Sequence, residues 1–434
     1  MAEKSRPIVR QDMERMLERS RRKASDNGLE RNGAEKLKLT LSGSTVPAVS
    51  APLVSFILVN WNYGRYVGAA LDSIIRQTYS HFECLVVDNG STDESVQIIR
   101  RHIGDDARFR VLRLDENIGQ LGAALIALDE INGQFVTIVD ADDELFPDFA
   151  SIHVQVHLAS SRSVGITSSN VCEVDGAGTA LTSSYHMIDI HQEHARKGLR
   201  AGSTVLRLAT VSDEAFAELD RLTAFVPSRI KGWLWSPGTG NMMRRSIAEL
   251  MKFKPEQRKV MRAADAHFLP LCHAFAGTAL IDIPLSTYRI HGQNYFASRE
   301  SITGIRSGTA EFVEKSKLDM YQSIDHLLKN AGHNSWLLAD DFWRVIDQAT
   351  WRNSRELQDF YRTPQGVDIF LRNAAVLRQA VGDRVFVRNV FARFGFRLGR
   401  RIVATGFGGQ IPLQAWLQGL RIAMSRRRSR ALLH

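Results

Sequence analysis

The chain has 434 residues, a length that allows about three domains. Apolar residues make up 44% of it, which is enough for a sizeable core and excludes a disordered chain. The formal net charge of +9 is unevenly placed: residues 384–434 hold eleven Arg and no Asp, Glu or Lys. Residues 1–40 carry a net charge of +4, which leaves −6 for residues 41–383. A mildly acidic body therefore carries two basic ends.

The cysteines and the lengths of the apolar runs indicate the cellular compartment of the protein. Cys84, Cys172 and Cys272 lie far apart and without metal-ligand spacing, which argues against a disulfide framework and favours a reducing compartment. No apolar run approaches the roughly 18 residues that span a bilayer, and the N-terminus lacks an apolar signal segment. We therefore expect a cytoplasmic protein.

The elements change character along the chain. Residues 1–50 begin as a charged, helix-like stretch and end in a linker rich in Ser, Pro, Gly and Thr. Beyond it, short apolar runs alternate with segments of helical periodicity; the runs are LVSFILV, FECLVV, FRVLRL and FVTIVD. Four strands that alternate with three helices predict an α/β fold with a mostly parallel sheet and flanking helices.

Polar residues follow three of these strands. The first strand runs into Asn60 and Trp61, the second into Asp88 and Asn89, and the fourth into Asp140. Open parallel sheets bind ligands beyond the carboxyl ends of their strands. A tryptophan and clustered carboxylates at that edge suit a base, a polyphosphate and a divalent cation.

The acidic cluster after the fourth strand has two interpretations. Asp140, Asp142 and Asp143 are close enough to repel one another unless a cation is present, and Mg²⁺ and Mn²⁺ prefer carboxylate oxygens. Alternatively, Asp142, Asp143 and Asp148 cap the helix predicted by LFPDFASIHVQVHLA. Both interpretations are open at this point.

The ordered segments SFILVNWN, ALDSIIRQTYSHFECLVVDNGSTDES, ENIG and GQFVTIVDADDELFPD closely resemble the family 2 glycosyltransferases of the GT-A (Rossmann-like) fold. A second block, GTGNMMRRSI, RAADAHFLPLCHAFAG and IPLSTYRIHGQN, supports the resemblance. The resemblance covers neither residues 1–50 nor the C-terminal third. It implies a metal-dependent, inverting transferase that moves a sugar from a nucleoside-diphosphate sugar to a hydroxyl of a glycan or lipid-linked glycan.

The resemblance also assigns roles. Trp61 would stack on the base, Asp142 would bind the metal directly, and Asp265 would act as the general base. The alternative role for Asp265 is to cap the helix that follows it, with no part in catalysis. The residues expected to contact the donor are Val59, Asn60, Trp61, Asp88, Asn89, Asp140, Ala141 and Arg289. The expected ligands of Mn²⁺ or Mg²⁺ are Asp142, Asp140 and His291.

The sequence departs from the family pattern at three places. Asn89 replaces an acid that often pairs with uracil, so UDP, dTDP and GDP all remain open as the donor nucleotide. Ala124 and Leu125 stand where many relatives carry Arg and Asn, and Ala264 stands where Glu is common. Two alternatives therefore accompany the transferase: a degenerate nucleotide-sugar binding module, and a sugar-nucleotide nucleotidyltransferase. The second is disfavoured because NWNYGRY is not a Gly-rich phosphate loop.

Residues 175–231 match no pattern. A zinc site and ordinary polar histidines are both open for His186, His191 and His194. Trp233 and Trp235 suit either a sugar face or packing against the sheet.

The domain borders follow from these patterns. We expect the transferase domain over residues 51–300, a helical appendage over 301–383 and a basic amphipathic tail over 384–434. Three interpretations fit the tail: an anionic membrane surface, docking onto protein, and a solvated segment. The first would hold the protein at the inner face of the cell membrane. Nucleic acid is disfavoured because no nucleic-acid module accompanies the arginines.

Overall fold

The computed structural model describes residues 36–39, 45–160, 162–183, 196–199, 206–230, 232–255, 259–292, 294, 310–334, 341–349 and 360–431. The predicted helix-like stretch before residue 36 lies outside these residues. The histidines of the zinc hypothesis, His186, His191 and His194, also lie outside them.

Among the described residues, strands and helices alternate up to Ile290, and only helices follow. The strands are β1 (Lys36–Leu39), β2 (Thr45–Ser50), β3 (Val54–Asn60), β4 (Phe82–Asn89), β5 (Phe109–Leu114), β6 (Phe135–Asp140), β7 (Ile166–Asp175), β8 (Ala180–Thr182), β9 (Arg196–Lys197), β10 (Leu206–Leu208), β11 (Thr223–Val226), β12 (Asn241–Arg244) and β13 (Thr278–Ile290). The α-helices are α1 (Gly64–Ile75), α2 (Ser95–Ile103), α3 (Gln120–Ala127), α4 (Phe149–Ala159), α5 (Asp213–Arg221), α6 (Arg245–Ala248), α7 (Ala264–Ala276), α8 (Ala310–Lys329), α9 (Ala331–Asn334), α10 (Asp341–Ala349), α11 (Pro364–Val381), α12 (Asp383–Gly406) and α13 (Leu413–Ala431).

Ten of the described strands form one large sheet in the order β5-β4-β3-β6-β12-β7-β13-β11-β9, with β8 paired to β7. The ladders β5–β4, β4–β3, β3–β6 and β7–β13 are parallel, and β12 is inserted antiparallel between β6 and β7. The carboxyl ends of β3, β4 and β6 therefore meet at one edge. The predicted α/β class, a mostly parallel sheet with flanking helices, is confirmed.

The central strand shows why an unbroken apolar run forms a strand here. Every residue of β3 is buried. Phe56 and Leu58 pack in the core cluster on one face of the sheet, whereas Ile57 and Val59 pack in the cluster on the other face. Because successive side chains of a strand point to opposite faces, both must be apolar when helices cover both faces.

The predicted linker differs from the structure. Thr45–Ser50 forms β2, which pairs with β1, and β1 in turn pairs with β10. Pro47 is compatible with this position because β2 is an edge strand of the small sheet. The strand that completes this sheet lies some 160 residues further along the chain, a partner that local composition cannot reveal.

The predicted helical extension is present. Apolar residues from α8, α10, α11, α12 and α13 share one core cluster with Met251, Leu271 and Ala274 of the sheet domain. The extension therefore packs on the side of the sheet domain where α7 lies. The predicted border at residue 384, between a helical appendage and a tail, stays a prediction. Residues on both sides of this border contribute to the same core cluster. Among the described helices, none combines the length and apolar character needed to cross a membrane.

Candidate active site

The acidic turn after β6 is tied to distant segments. Asp140 ends the strand, and its backbone N–H donates to Oγ1 of Thr239 at 3.0 Å. The same hydroxyl donates to Oδ2 of Asp143 at 2.9 Å, and the backbone N–H of Arg289 donates to Oδ1 of Asp143 at 2.8 Å. Asp143 is 2% exposed. The turn is thus held by Thr239 and Arg289, which follow Asp143 by 96 and 146 positions in the sequence.

Helix capping does not account for the acidic cluster. Asp148 occupies the position before α4, but its side chain makes no capping hydrogen bond and instead accepts from Oγ1 of Thr78 at 2.7 Å. Asp143 bonds to Thr239 and Arg289, as described above, and Asp142 pairs with His291. The carboxylates of the turn therefore face other strands and not the start of α4.

The cluster is electrostatically unfavourable by itself. Burial, followed by the charge of Asp142, raises the pKa of both Asp140 and Asp143 well above the ordinary range. Burial and then the same three carboxylates raise the pKa of Tyr63. Like charges at a shared site oppose ionisation of one another, so a bound cation would stabilise the ionised cluster.

Asp142 and His291, two of the residues that the resemblance implies as metal ligands, lie together. Nε2 of His291 is 2.9 Å from Oδ2 of Asp142. The imidazole stacks on Tyr66, with ring centroids 5.3 Å apart, and meets Tyr63 edge-on at 5.7 Å. The two tyrosines fix the ring orientation. Sequence reasoning missed them, although they follow the NWN segment directly.

Arg289 fastens the acidic turn to its surroundings. The guanidinium donates from Nε to the backbone oxygen of Asp142 at 2.7 Å, from Nη2 to Oε1 of Glu144 at 2.8 Å and from Nη1 to the backbone oxygen of Asp175 at 3.3 Å. Arg289 is 5% exposed. Its contact with a donor diphosphate stays a prediction.

Asp265 lies in the first turn of α7, and Ala263 takes the N-cap position. Its Oδ1 accepts from the backbone N–H of Ala266 at 2.6 Å, and its Oδ2 accepts from the backbone N–H of Gly238 at 3.3 Å. Burial raises its pKa despite these hydrogen bonds. Its charge in turn contributes to the raised pKa of Asp140, so the two carboxylates share one site.

Two residues that sequence reasoning missed connect Asp140 to α7. The side-chain amide of Gln120 donates from Nε2 to Oδ1 of Asp140 and accepts at Oε1 from the backbone N–H of Ala264 at 3.0 Å. Gly238 lies so close to Asp140 that an added Cβ would overlap Oδ2 of that carboxylate. Gln120, Gly238 and Asp265 line one pocket. The sequence signal that could have indicated Gln120 is its position directly after the ENIG segment.

The ends of β3 and β4, which the resemblance assigns to nucleoside binding, are joined by hydrogen bonds between their side chains. Nδ2 of Asn60 donates to Oδ1 of Asp88 at 3.3 Å and to Oγ of Ser91 at 3.1 Å. Asp88 is fully buried, and its Oδ2 is 3.7 Å from Nε of Arg113. These contacts align β3 and β4 at the edge of the sheet.

Asn89 organises the loop that leads to α3. Its Oδ1 accepts from the backbone N–H of Ile118 at 3.0 Å, and its Nδ2 donates to Oδ1 of Asn117 at 3.2 Å. The amide thus uses both of its functional groups within the protein. Which base it would contact stays open.

The remaining predicted donor contacts differ in exposure. Trp61 is 44% exposed, and Nζ of Lys259 lies 5.5 Å from its ring centroid. Val59 and Ala141 are buried, so a donor would reach them only through the backbone. Trp235 is 1% exposed and donates from Nε1 to Oγ1 of Thr278, which identifies it as a packing residue and not a sugar platform.

The side chains of the acidic turn suit a divalent cation. Within the described part of the chain, no three His, Cys, Asp or Glu side chains converge as a preformed metal site. Mg²⁺ does not require one, because it is commonly held by one or two carboxylates together with substrate phosphates and water. Asp142 beside His291, next to carboxyl groups with raised pKa values, is a donor set of this kind.

Comparison with known proteins identifies the class. Residues 55–206 match the family model for glycosyl transferase family 2. The resemblance to family 2 glycosyltransferases that the motifs predict is confirmed over this part of the chain.

Curated relatives carry the same designation. An uncharacterized glycosyltransferase of Haemophilus influenzae is 28% identical over 143 residues, covering 32% of this chain and 56% of that protein. One of Nostoc sp. is 27% identical over 252 residues, covering 58% and 68%. The putative glycosyltransferase EpsH of Bacillus subtilis is 24% identical over 247 residues, covering 56% and 62%. The chain thus spans a little over half to two thirds of these relatives.

Solved structures give a looser match. S. aureus TarS 1–349 in complex with UDP superimposes with a TM-score of 0.41 at 16% sequence identity, covering 87% of this chain and 91% of that chain.

Proposed function

We propose that this protein transfers a sugar from a nucleoside-diphosphate sugar to a hydroxyl group, with inversion at the anomeric carbon and Asp265 as the general base. The observation that carries the proposal is the position of Asp265. It is a carboxylate with a raised pKa, held by the Gly238 N–H and sharing a site with Asp140 at the end of β6.

The chemistry requires a base because a sugar hydroxyl is a poor nucleophile at neutral pH. Oδ2 of Asp265, which Gly238 holds only at 3.3 Å, would accept the hydroxyl proton as the oxygen attacks. A raised pKa makes the carboxylate a stronger base, and such groups typically contribute about 10² to 10⁴ in rate. Burial excludes competing water from the same carboxylate.

Asp142 and His291 would hold Mn²⁺ or Mg²⁺, with Asp140 as the further predicted ligand. Bound there, the cation supplies Lewis-acid stabilisation of the departing diphosphate. Arg289 and Thr239 keep the turn in place, and Trp61 offers an exposed face for the base. The Asn60–Asp88 pair supports this edge from the side of β3 and β4.

A glycan or lipid-linked glycan is the acceptor we propose, in keeping with the family resemblance. The proposed compartment is the cytoplasm, where sugar nucleotides are consumed by this chemistry. Cys84, Cys172 and Cys272 form no disulfide bond with one another, which is compatible with a reducing compartment.

The test measures release of nucleoside diphosphate from UDP-, dTDP- and GDP-sugars with Mn²⁺ or Mg²⁺. Asp265→Asn should lower turnover by about 10² to 10⁴ while donor binding, measured as a thermal shift, persists. Asp213→Asn is the matched control, because Asp213 lies in the first turn of α5 and is exposed. Retained turnover in Asp265→Asn would overturn the assignment of the base.

Further measurements test the metal ligand and distinguish the transferase from the two alternative functions. Asp142→Asn should raise the metal concentration needed for half-maximal turnover, and NMR of the product should show the inverted anomer. Pyrophosphate release from a nucleoside triphosphate and a sugar phosphate would instead identify a nucleotidyltransferase. Donor binding without release by the unaltered protein would identify a degenerate binding module.

A further inference from the structure

Helix α13 has two faces with opposite surroundings. Ala415 and Gly419 are buried, and Ile422 packs against the core of the helical extension. A Cβ added to Gly419 would overlap the ring of Phe391 on α12, so the two helices are in close contact there. This face of α13 is occupied by the protein's own body.

The opposite face is apolar and open to solvent. Leu413 is 71% exposed, Met424 56%, Leu417 42% and Trp416 39%. Their spacing of three, four and seven residues places them on one side of the helix, with Leu420 between them partly exposed. Of the nine large exposed apolar side chains among the described residues, four lie on this helix, so the face is a concentrated feature and not scattered exposure.

The neighbouring helix α12 has a similar apolar pattern, but its apolar face is buried. Its residues Val387, Phe391, Phe394 and Ile402 are buried in the core of the extension. Docking onto the protein's own body, one of the three interpretations of the tail, therefore describes α12. Only α13 leaves its apolar face without a covering segment in the part of the chain that the structure describes.

Positive charge is concentrated in the segment that carries the open face. Residues 384–434 contain eleven Arg and no acidic residue. Arg421 is exposed on α13, and Arg397, Arg400 and Arg401 are exposed on α12. Arg393 is the contrasting case, because its guanidinium forms an ion pair with Asp347 at 2.5 Å inside the extension. An occupant of this helix should therefore offer both an apolar surface and negative charge.

We propose that the exposed face of α13, formed by Leu413, Trp416, Leu417, Leu420 and Met424, binds the surface of a bilayer that contains anionic lipids. Leucine, methionine and tryptophan side chains enter the boundary between headgroups and acyl chains, and the arginines contact lipid phosphates. This inference does not depend on the proposed transfer reaction, because binding is independent of turnover.

Charge separates this occupant from the others. A second copy placed face to face would bring two arginine-rich segments of the same sign together, which is unfavourable. Nucleic acid would neutralise the arginines but would leave the apolar stripe against a phosphate backbone, which offers it no apolar surface. An anionic bilayer satisfies both parts of the surface.

The test uses the full chain and sedimentation with vesicles. Wild-type protein should bind vesicles of phosphatidylcholine with phosphatidylglycerol, bind pure phosphatidylcholine vesicles much more weakly, and dissociate as salt rises. The double variant Trp416→Ser with Leu417→Ser should lose at least about tenfold in vesicle affinity, because it removes two apolar side chains that the bilayer would bury. Its melting temperature should match the wild type, since both side chains are exposed.

The matched control replaces Leu318 and Val376 by serine, two similarly exposed apolar residues elsewhere on the extension. This control should bind anionic vesicles like the wild type. Equal losses in both double variants would overturn the proposal, as would absence of wild-type binding to anionic vesicles. A dimer in sedimentation velocity that dissociates only in the Trp416 and Leu417 variant would assign the face to a second copy instead.

Discussion

Replacing Thr239 by valine tests whether one hydroxyl organises the acidic turn. Valine keeps the shape of threonine but removes both hydrogen bonds of Oγ1: the one accepted from the backbone N–H of Asp140 and the one donated to Asp143. Thr239 is fully buried, so water does not replace the lost partners. An unpaired N–H and a poorly solvated carboxyl group would then remain in the interior.

The expected cost follows from the two bonds. A neutral backbone hydrogen bond contributes about 1 kcal/mol, and one to a charged group about 1.5–3 kcal/mol. Thr239→Val should therefore lower the free energy of unfolding by about 2.5–4 kcal/mol. Thr239→Ser keeps the hydroxyl and loses only a methyl group, at about 1 kcal/mol. The difference between the two variants isolates the hydroxyl from the side-chain volume.

Urea unfolding monitored by circular dichroism measures both free energies, and nucleoside diphosphate release measures turnover. Thr239→Val should lose turnover by about tenfold or more, because a displaced carboxylate misplaces the reacting groups. Thr239→Ser should stay close to the wild type in both assays. Equal free energies of unfolding for the two variants would refute the bridging role of the hydroxyl.

Two further predictions concern Gly238 and His267. Gly238→Ala should reduce turnover, because its Cβ would displace the Asp140 carboxylate, whereas Gly332→Ala, with open space around the site, should not; equal turnover in both variants would contradict the overlap. Burial lowers the pKa of His267 to about 3, so the unfolded chain, with an ordinary pKa of about 6.5, binds more protons below that pH. The free energy of unfolding should fall by about 1.4 kcal/mol per pH unit from this histidine between about pH 6.5 and 3, and His267→Gln should flatten the pH dependence of urea unfolding; unchanged slopes would exclude the buried neutral state.

The central strands were predictable because their signals are local. Each of β3, β4, β5 and β6 is a short apolar run between turn residues, and the predicted and observed bounds differ by at most two residues. The small sheet formed by β1, β2 and β10 was not predictable, because its strands are weakly apolar and its partners lie far apart in the chain. Strand pairing over such distances depends on packing and not on local pattern.

The candidate site divides in the same way. The family resemblance assigned roles to Asp142, His291 and Asp265, and the structure brings the first two within 2.9 Å of each other. Gln120 and Thr239 were missed because neither carries a charge, although Thr239 lies in the GTGNMMRRSI segment and Gln120 directly follows ENIG. They matter only because the sheet order brings α3, α7 and the segment before β12 to the end of β6.

The amino-acid sequence by itself determined the order of strands and helices, the polar ends of the central strands and the family of the domain, since all of these are written in short segments. The tertiary structure alone decided which side chains meet and which apolar faces remain open. Helices α12 and α13 have similar apolar periodicity, yet one is buried and the other presents Leu413 and Trp416 to solvent. Periodicity defines a face of a helix, but only the packing of the whole chain determines whether another element covers that face.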